Sequence, residues 1–453
     1  MHDTRQVSAH QYTNLPHQAI ERVYRPLSQY MAIETTAGFM LLFFAGAAVV
    51  LSNSPWGPGY QALWETPLGF RLGPWEATRA VRAWINDGLM TLFFFLVSLE
   101  LKREIVLGEL RNPRIAALSI AGAAGGMLVP SVMYLAVLAG EPGHHGWGTV
   151  MATDTAFAIG CVSLLGTRAP QSLRVFLLSL AIVDDIGAIL VVALGYTAVV
   201  AWVPLGIAAL GLVAIRAMRL LGFRSLPLYF LAGGLVWIAV DASGIHATIA
   251  GVALGLMTPA RRWVCDERLY AILDQVVAHP TTQQGSGDTR DRETLRMAEV
   301  ALRETLSPNE RLEMVLHPWV AFVIMPLFAL ANAGVPLAAM TIDVRVVTAI
   351  VVGLVIGKPL GVLTFSWLAV RSGLAVRPPE LAWTTIAGAG LLAGIAFTMA
   401  IFIADLAFTG SLGDSAKLGI LIASIVAALG GLALLRWHAG GSAVDEALHG
   451  RGG

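Results

Sequence analysis

The chain has 453 residues, 56% of them hydrophobic and 13% charged, with a mean hydropathy of +0.69 and zero formal net charge. Continuous apolar runs of bilayer-spanning length recur from near residue 31 to near residue 437, which defines an all-α, polytopic membrane protein and excludes a β-barrel of short alternating strands. The charge balance gives no reason to expect nucleic acid, and Cys161 and Cys265 are too few and too distant to read as a disulfide framework or a metal site.

In chain order, residues 1–30 are polar and contain Pro16 and Pro26, so an N-terminal tail ending in a short surface helix is expected. No cleavable signal is expected, because the first apolar run leads into Asn53-Ser54-Pro55 and not into a small-residue cleavage site. Twelve spans follow, near 31–51, 80–101, 115–139, 147–165, 173–199, 201–218, 226–241, 244–260, 315–334, 346–370, 381–403 and 416–436. Spans one to eight thus occupy 31–260, a charged loop 261–314, spans nine to twelve 315–437, and a C-terminal tail 438–453. Polar interruptions near the middles of spans three to five and ten to twelve suggest two related three-helix units.

The loop at 52–79 contains ETPLGFRLG, whose alternation around Gly69 to Gly73 fits a β-hairpin. A hairpin edge outside the membrane offers pairing to a second copy, so a homodimer through 65–75 is expected. The segment around TTQQGSGDTRDRE mixes both charge signs and reads as a loosely ordered loop. With the N-terminus inside, the only basic residues on the outer side are Arg71, Arg79, Arg82, Arg345 and Lys417, and Lys358 lies within span ten. The positive-inside rule then puts both termini in the cytoplasm.

Ionisable groups inside the bilayer are costly and mark function. The sequence LAIVDDIGAIL sets Asp184 and Asp185 side by side in span five, and adjacent helix positions point about 100° apart, so the two acids serve separate roles. Span four carries Thr153, Asp154 and Thr155; a threonine can bond back to its own helix, but an aspartate needs another partner. Span eleven carries Gly388, Gly390 and Gly394. These glycines read either as a close-packing stripe or as a helix broken at mid-membrane. Lys358, in Gly-Lys-Pro, calls for an internal acid partner. His246 sits near the outer end of span eight, where both packing and titration are open to it; His144 and His145 read as surface loop residues. Glu100, Lys102, Arg103 and Glu104 end span two on the same side as Glu313 and His317 begin span nine. That group is either a solvated helix end or a cluster that moves helices as pH changes.

Together these residues closely resemble the NhaA-type sodium/proton antiporters of bacterial inner membranes. The match covers nearly all of 31–436 and rests on WINDGLMTLFFFLVSLELKRE, ATDTAFAIG, LAIVDDIGAIL, GIHATIAG, VLHPWVAF, LFALANAGV, IGKPLG and GIAFTMAIF, in this order. The resemblance implies twelve helices with inverted repeats and two crossed broken helices, here spans four and eleven. It implies Asp184, Asp185, Asp154 and Thr153 as the sodium- and proton-binding residues, with the three aspartates as the metal ligands and Asp154 and Thr153 contributed by a broken helix, and Lys358 as the interior counter-charge. Gly390, Gly394 and Ala396 fall at the break of span eleven; Glu100, Glu104, Glu313, His317 and His246 are the residues for a pH response. The chain departs from the family pattern at Met314 and Glu310, at Ala396 where a glycine is familiar, and in its longer loop before span nine.

The implied activity is extrusion of sodium or lithium in exchange for protons, with no resident cofactor and no enzymatic step. Hard alkali cations and protons compete for the same carboxylate oxygens, and neighbouring acids titrate as a coupled set. Two protons against one sodium moves net charge, whether both acids carry the protons or Lys358 gives up one of them. Two rivals remain from other classes. An intramembrane aspartyl hydrolase needs converging carboxyls, whereas these are splayed neighbours and the one GxGD string, Gly285 to Asp288, lies in the polar loop. A cation channel is opposed by the fixed charge of Lys358.

Overall fold

The computed structural model describes residues 34–449 apart from short breaks at 73–74, 109–112, 167–168, 197–199, 224–225 and 338–340 and most of 261–305. The polar N-terminal tail and the greater part of the charged loop lie outside the described residues.

The first apolar run forms α1, Glu34–Ser52, which ends where the Asn53 side chain donates to the Val49 carbonyl at 2.8 Å. Pro58 starts α2, Gly57–Glu65, bent 114° from α1 and burying Tyr60 and Trp64. The expected hairpin follows as antiparallel β1, Pro67–Leu72, and β2, Trp75–Ala80, with Gly69 opposite Thr78. A helical turn, Val81–Ala83, passes through a π-helical segment, Trp84–Leu89, into α3, Met90–Val106.

Next come α4, Pro113–Val137, a 3-10 segment Pro142–Val150, and α5, Thr155–Ser163. The expected fourth span is therefore helical in two unlike halves. Glycines at 143, 146 and 148 favour the tight first half, and residues 152–154 run free of helix between them. The long fifth span is α6, Gln171–Gly195, followed by α7, Trp202–Leu220, α8, Leu226–Ala242, and α9, Thr248–Met257.

Beyond the charged loop, α10, Pro308–Trp319, starts with a capping box in which Ser307 and Glu310 exchange side-chain and main-chain bonds. Glu310 thus serves α10 as its cap, and Met314 is exposed. A π segment, Val320–Ile324, joins α10 to α11, Met325–Asn332. Likewise α12, Val344–Val351, passes through the π segment Val352–Gly357 into α13, Lys358–Arg371. The chain closes with α14, Trp383–Ala393, α15, Phe397–Ala407, and α16, Ser411–His449, so the backbone of the expected C-terminal tail continues helically to His449.

By length and composition six of the described helices are able to cross a membrane, and up to eight spans result if each of two bent pairs counts as one. Large apolar side chains such as Leu194, Trp202 and Val203 face outward, as expected of a surface solvated by lipid. In lipid, helices associate through close packing and not through the hydrophobic effect. The contact between α4 and α13 shows it: a Cβ on Gly125 would sit 2.2 Å from the Gly361 carbonyl oxygen, and one on Gly361 would sit 2.0 Å from that of Gly125. This contact places Lys358, at the start of α13, against α4 beside Gly126.

A candidate ion site where two helix breaks meet

The two irregular segments, 152–154 and 394–396, touch through their backbones: the Asp154 N–H donates to the Ile395 carbonyl at 2.7 Å. A break at this depth frees main-chain groups that lipid cannot satisfy, so each must find a partner within the protein. At the first break the partner is Asp154 itself. It caps α5 by accepting from the Phe157 N–H at 3.3 Å, and its other oxygen accepts the N–H of Thr398 at 3.2 Å and the Thr398 hydroxyl at 2.6 Å. One buried carboxylate therefore stands at the N-termini of α5 and α15 together, where both helix dipoles favour negative charge.

The second break is bent by 46° between α14 and α15. Gly394 is required here by contact, since a Cβ would lie 2.4 Å from the Leu354 carbonyl; at Gly390 a Cβ would lie 2.8 Å from the Cα of Pro359. Ala396 adopts φ −126°, a conformation open to any L residue, so this position needs no glycine.

Beside the meeting point, α6 presents its two acids. Asp184 is wholly buried, and one of its oxygens accepts the Thr153 hydroxyl at 2.6 Å and the Lys358 ammonium at 2.9 Å. Its other oxygen, Oδ1, is buried with no hydrogen-bond partner among the described residues. Lys358, also wholly buried, donates as well to the Met151 carbonyl at the first break. Thr153 faces a second acceptor, the Ala393 carbonyl at 3.0 Å, which belongs to the C-terminus of α14. Asp185 is almost fully buried and takes no part in this bonded set, with Asp184, Glu100 and Asp154 within electrostatic reach of it. The result is a cluster of hard oxygen donors, from carboxylates, a hydroxyl and backbone carbonyls, around one fixed cation; that chemistry suits an alkali cation and a proton alike.

The remaining expected residues divide between two places. Arg103 of α3 pairs with the buried Glu313 of α10, so these two helix ends do meet, with Glu100 and Glu104 on the same helix as Arg103 and with His317 exposed on α10. His246 lies elsewhere, before α9, with Nδ1 3.0 Å from the Thr248 hydroxyl, Nε2 3.8 Å from Asp87 and its ring against Phe402. Arg79 joins Asp87, at 3.1 Å, to Asp241 beside it. His144 and His145 are exposed, as expected. Sequence reasoning missed Thr398, although it lies within the GIAFTMAIF segment; a hydroxyl two residues past the break was its only signal. It also missed the carbonyls of Met151 and Ala393, because a main-chain acceptor carries no residue signature.

Paired buried acids, a buried lysine and two helix breaks that satisfy one another define an ion-handling membrane protein. A family model described as Na+/H+ antiporter 1 matches residues 28–435. The chain is similar to "Na(+)/H(+) antiporter NhaA 2" of Acidiphilium cryptum (strain JF-5), 56% identical over 432 residues that cover 95% of this chain and 96% of that one. It is also similar to "Na(+)/H(+) antiporter NhaA" of Rhizobium meliloti (strain 1021), 55% identical over 93% of this chain and 97% of the relative. A third relative, "Na(+)/H(+) antiporter NhaA 2" of Vibrio vulnificus (strain CMCP6), is 52% identical over 94% and 96% of the two chains. The chain therefore belongs to the Na+/H+ antiporter 1 family.

Proposed function

We propose that this chain extrudes sodium, and lithium in its place, from a bacterial cell in exchange for protons, with Asp185 as the direct cation ligand. The observation that carries this reading is Asp184. It spends one oxygen on Lys358 and Thr153 and keeps the other buried and, among the described residues, without a hydrogen-bond partner, next to Asp185 at the meeting of two helix breaks. A cation entering there gains oxygen ligands, and the acids it engages must give up their protons. Asp185 releases one proton; the Asp184–Lys358 pair, titrating as a unit, releases the second. Two protons for one sodium moves one charge, so membrane potential drives the exchange.

The reading includes twelve spans with two inverted three-helix units, the two broken helices crossing as the alternating-access element, and insertion in the inner membrane with both termini cytoplasmic. It includes a homodimer through the hairpin at 65–75 and a pH response from the Arg103–Glu313 helix ends. Neither rival has support. The named relatives are antiporters, Asp184 is held by Lys358 and so is unavailable as half of a proteolytic dyad, and the lysine at the site opposes free cation flow. The test is the purified chain in sealed vesicles with an imposed sodium gradient and a pH-reporting dye inside. Proton movement opposite to sodium is the expected result; sodium flux without proton movement overturns the reading.

A further inference from the structure

The helix α15 connects the site to a second, partly buried ion pair. Thr398, Phe402 and Asp405 are spaced by four and three residues and so share one face. At the inner end of that face Thr398 holds Asp154. In the middle, Phe402 lies between the rings of His246, Phe94 and Phe328. Asp405, in the last turn of α15, contacts the ammonium of Lys417 on α16 at 2.7 Å, and its second oxygen is buried without a hydrogen-bond partner among the described residues. Asp414, one turn before Lys417, and Arg82 are further charged groups at this end.

One member of this pair sits on the wrong helix end. An acid in a last turn faces the negative end of the α15 dipole, whereas Lys417 lies beyond the first turn of α16 and has Asp414 of that helix beside it. Asp405 therefore gains nothing from its own helix and depends on Lys417. The chain repeats here in a less buried form, about 10 Å along α15 from Thr398 by helical rise, the arrangement of Asp184 and Lys358: one carboxylate oxygen on a lysine, the other without a hydrogen-bond partner among the described residues.

We propose that Asp405 and Lys417 are positioning residues for the exchange reaction: together they latch the outer end of α15 to α16, and through Thr398 they set how readily the Asp154 side of the site moves. This rests on the sodium/proton reading for what the movement accomplishes, but the latch itself is a statement about α15. The latch governs the rate of alternation and leaves cation affinity to the acids of α6.

The test uses the full chain in vesicles and three variants: Asp405→Asn with Lys417→Met, Asp405→Asn alone, and the exchange Asp405→Lys with Lys417→Asp. In the neutral pair the α15 backbone amides exchange hydrogen about fivefold faster than in the parent chain, the fold-change expected for loss of one partly buried pair. The maximal sodium-driven rate rises, with half-saturating sodium unchanged. The reversed pair keeps the ion pair and puts the positive charge in the last turn of α15, the end that favours it, so its α15 amides are at least as protected as in the parent chain and its maximal rate is no higher. The single variant leaves Lys417 with Asp414 of its own helix but with no acid on α15, and resembles the neutral pair in amide exchange. Unaltered α15 protection in the neutral pair, or a shift in half-saturating sodium with the rate unmoved, overturns the latch. A parent chain that shows no exchange at all overturns the sodium/proton reading, and the amide measurements then still decide whether the latch exists.

Discussion

The Asp184–Lys358 pair is best tested as a cycle of substitutions. Both side chains are wholly buried and their charged atoms are 2.9 Å apart. Removing one partner leaves the other charge uncompensated, which costs roughly 3–5 kcal/mol, whereas replacing both with neutral groups of similar size is close to neutral. Lys358→Met and Asp184→Asn should therefore each lower the thermal unfolding midpoint in detergent, while the double variant should melt nearer the parent chain than either. The double variant still lacks a donor for the Met151 carbonyl, a loss of about 1 kcal/mol. The two single losses together then exceed the double loss by about 5 kcal/mol or more, well beyond the scatter of independent sites. Additive losses would refute the reasoning and make each residue's role one of separate packing. Neither single variant nor the double should transport sodium at the parent rate, so stability and transport part company in the double variant.

Asp185→Asn keeps the side chain's size but removes its charge; the variant should fold normally and lose sodium-driven proton movement, and near-normal flux would remove Asp185 as the cation ligand. On the proposed exchange of two protons for one sodium, an imposed potential of about 60 mV should change the equilibrium sodium ratio about tenfold; a ratio indifferent to a potassium-diffusion potential would show electroneutral exchange. Deleting 281–292, whose composition cannot bury a core, should leave sodium affinity at saturating pH intact, as measured by the half-saturating concentration in vesicles. Gly125→Ala forces a methyl against the Gly361 carbonyl and should cost about 1–3 kcal/mol, read as a lowered melting midpoint with the transport defect relieved only by restoring glycine.

Much of the helical framework was legible because apolar runs of span length and Pro/Gly punctuation act locally. The hairpin was legible for the same reason: alternation around Gly69 specifies a paired edge, and β1 and β2 pair there. The π segments before α3, α11 and α13 were not, since a single wide turn leaves no mark in hydrophobic period. Nor was the 3-10 character of 142–150, where glycines permit several tight conformations and tertiary contacts select one. Close approach of Gly125 to Gly361 depends on two distant segments meeting and has no local signal at all.

In the site, residue type predicted burial and left partnership open. Three aspartates and a lysine inside apolar runs announce a polar interior, but they do not say which acid pairs with which group. The structure divides them by what remains free. Asp154 uses both oxygens on the N-terminal groups of α5 and α15, so taking either oxygen for a cation would strip a helix end of its cap. Asp184 uses one oxygen and keeps one, and Asp185 stands outside the bonded set. On the proposed exchange, an acid that caps helices and acids that take a cation need different numbers of uncommitted oxygens, and that count is a property of the assembled breaks. It exists only once residues 152–154 and 394–396, more than two hundred positions apart in the chain, have come into contact.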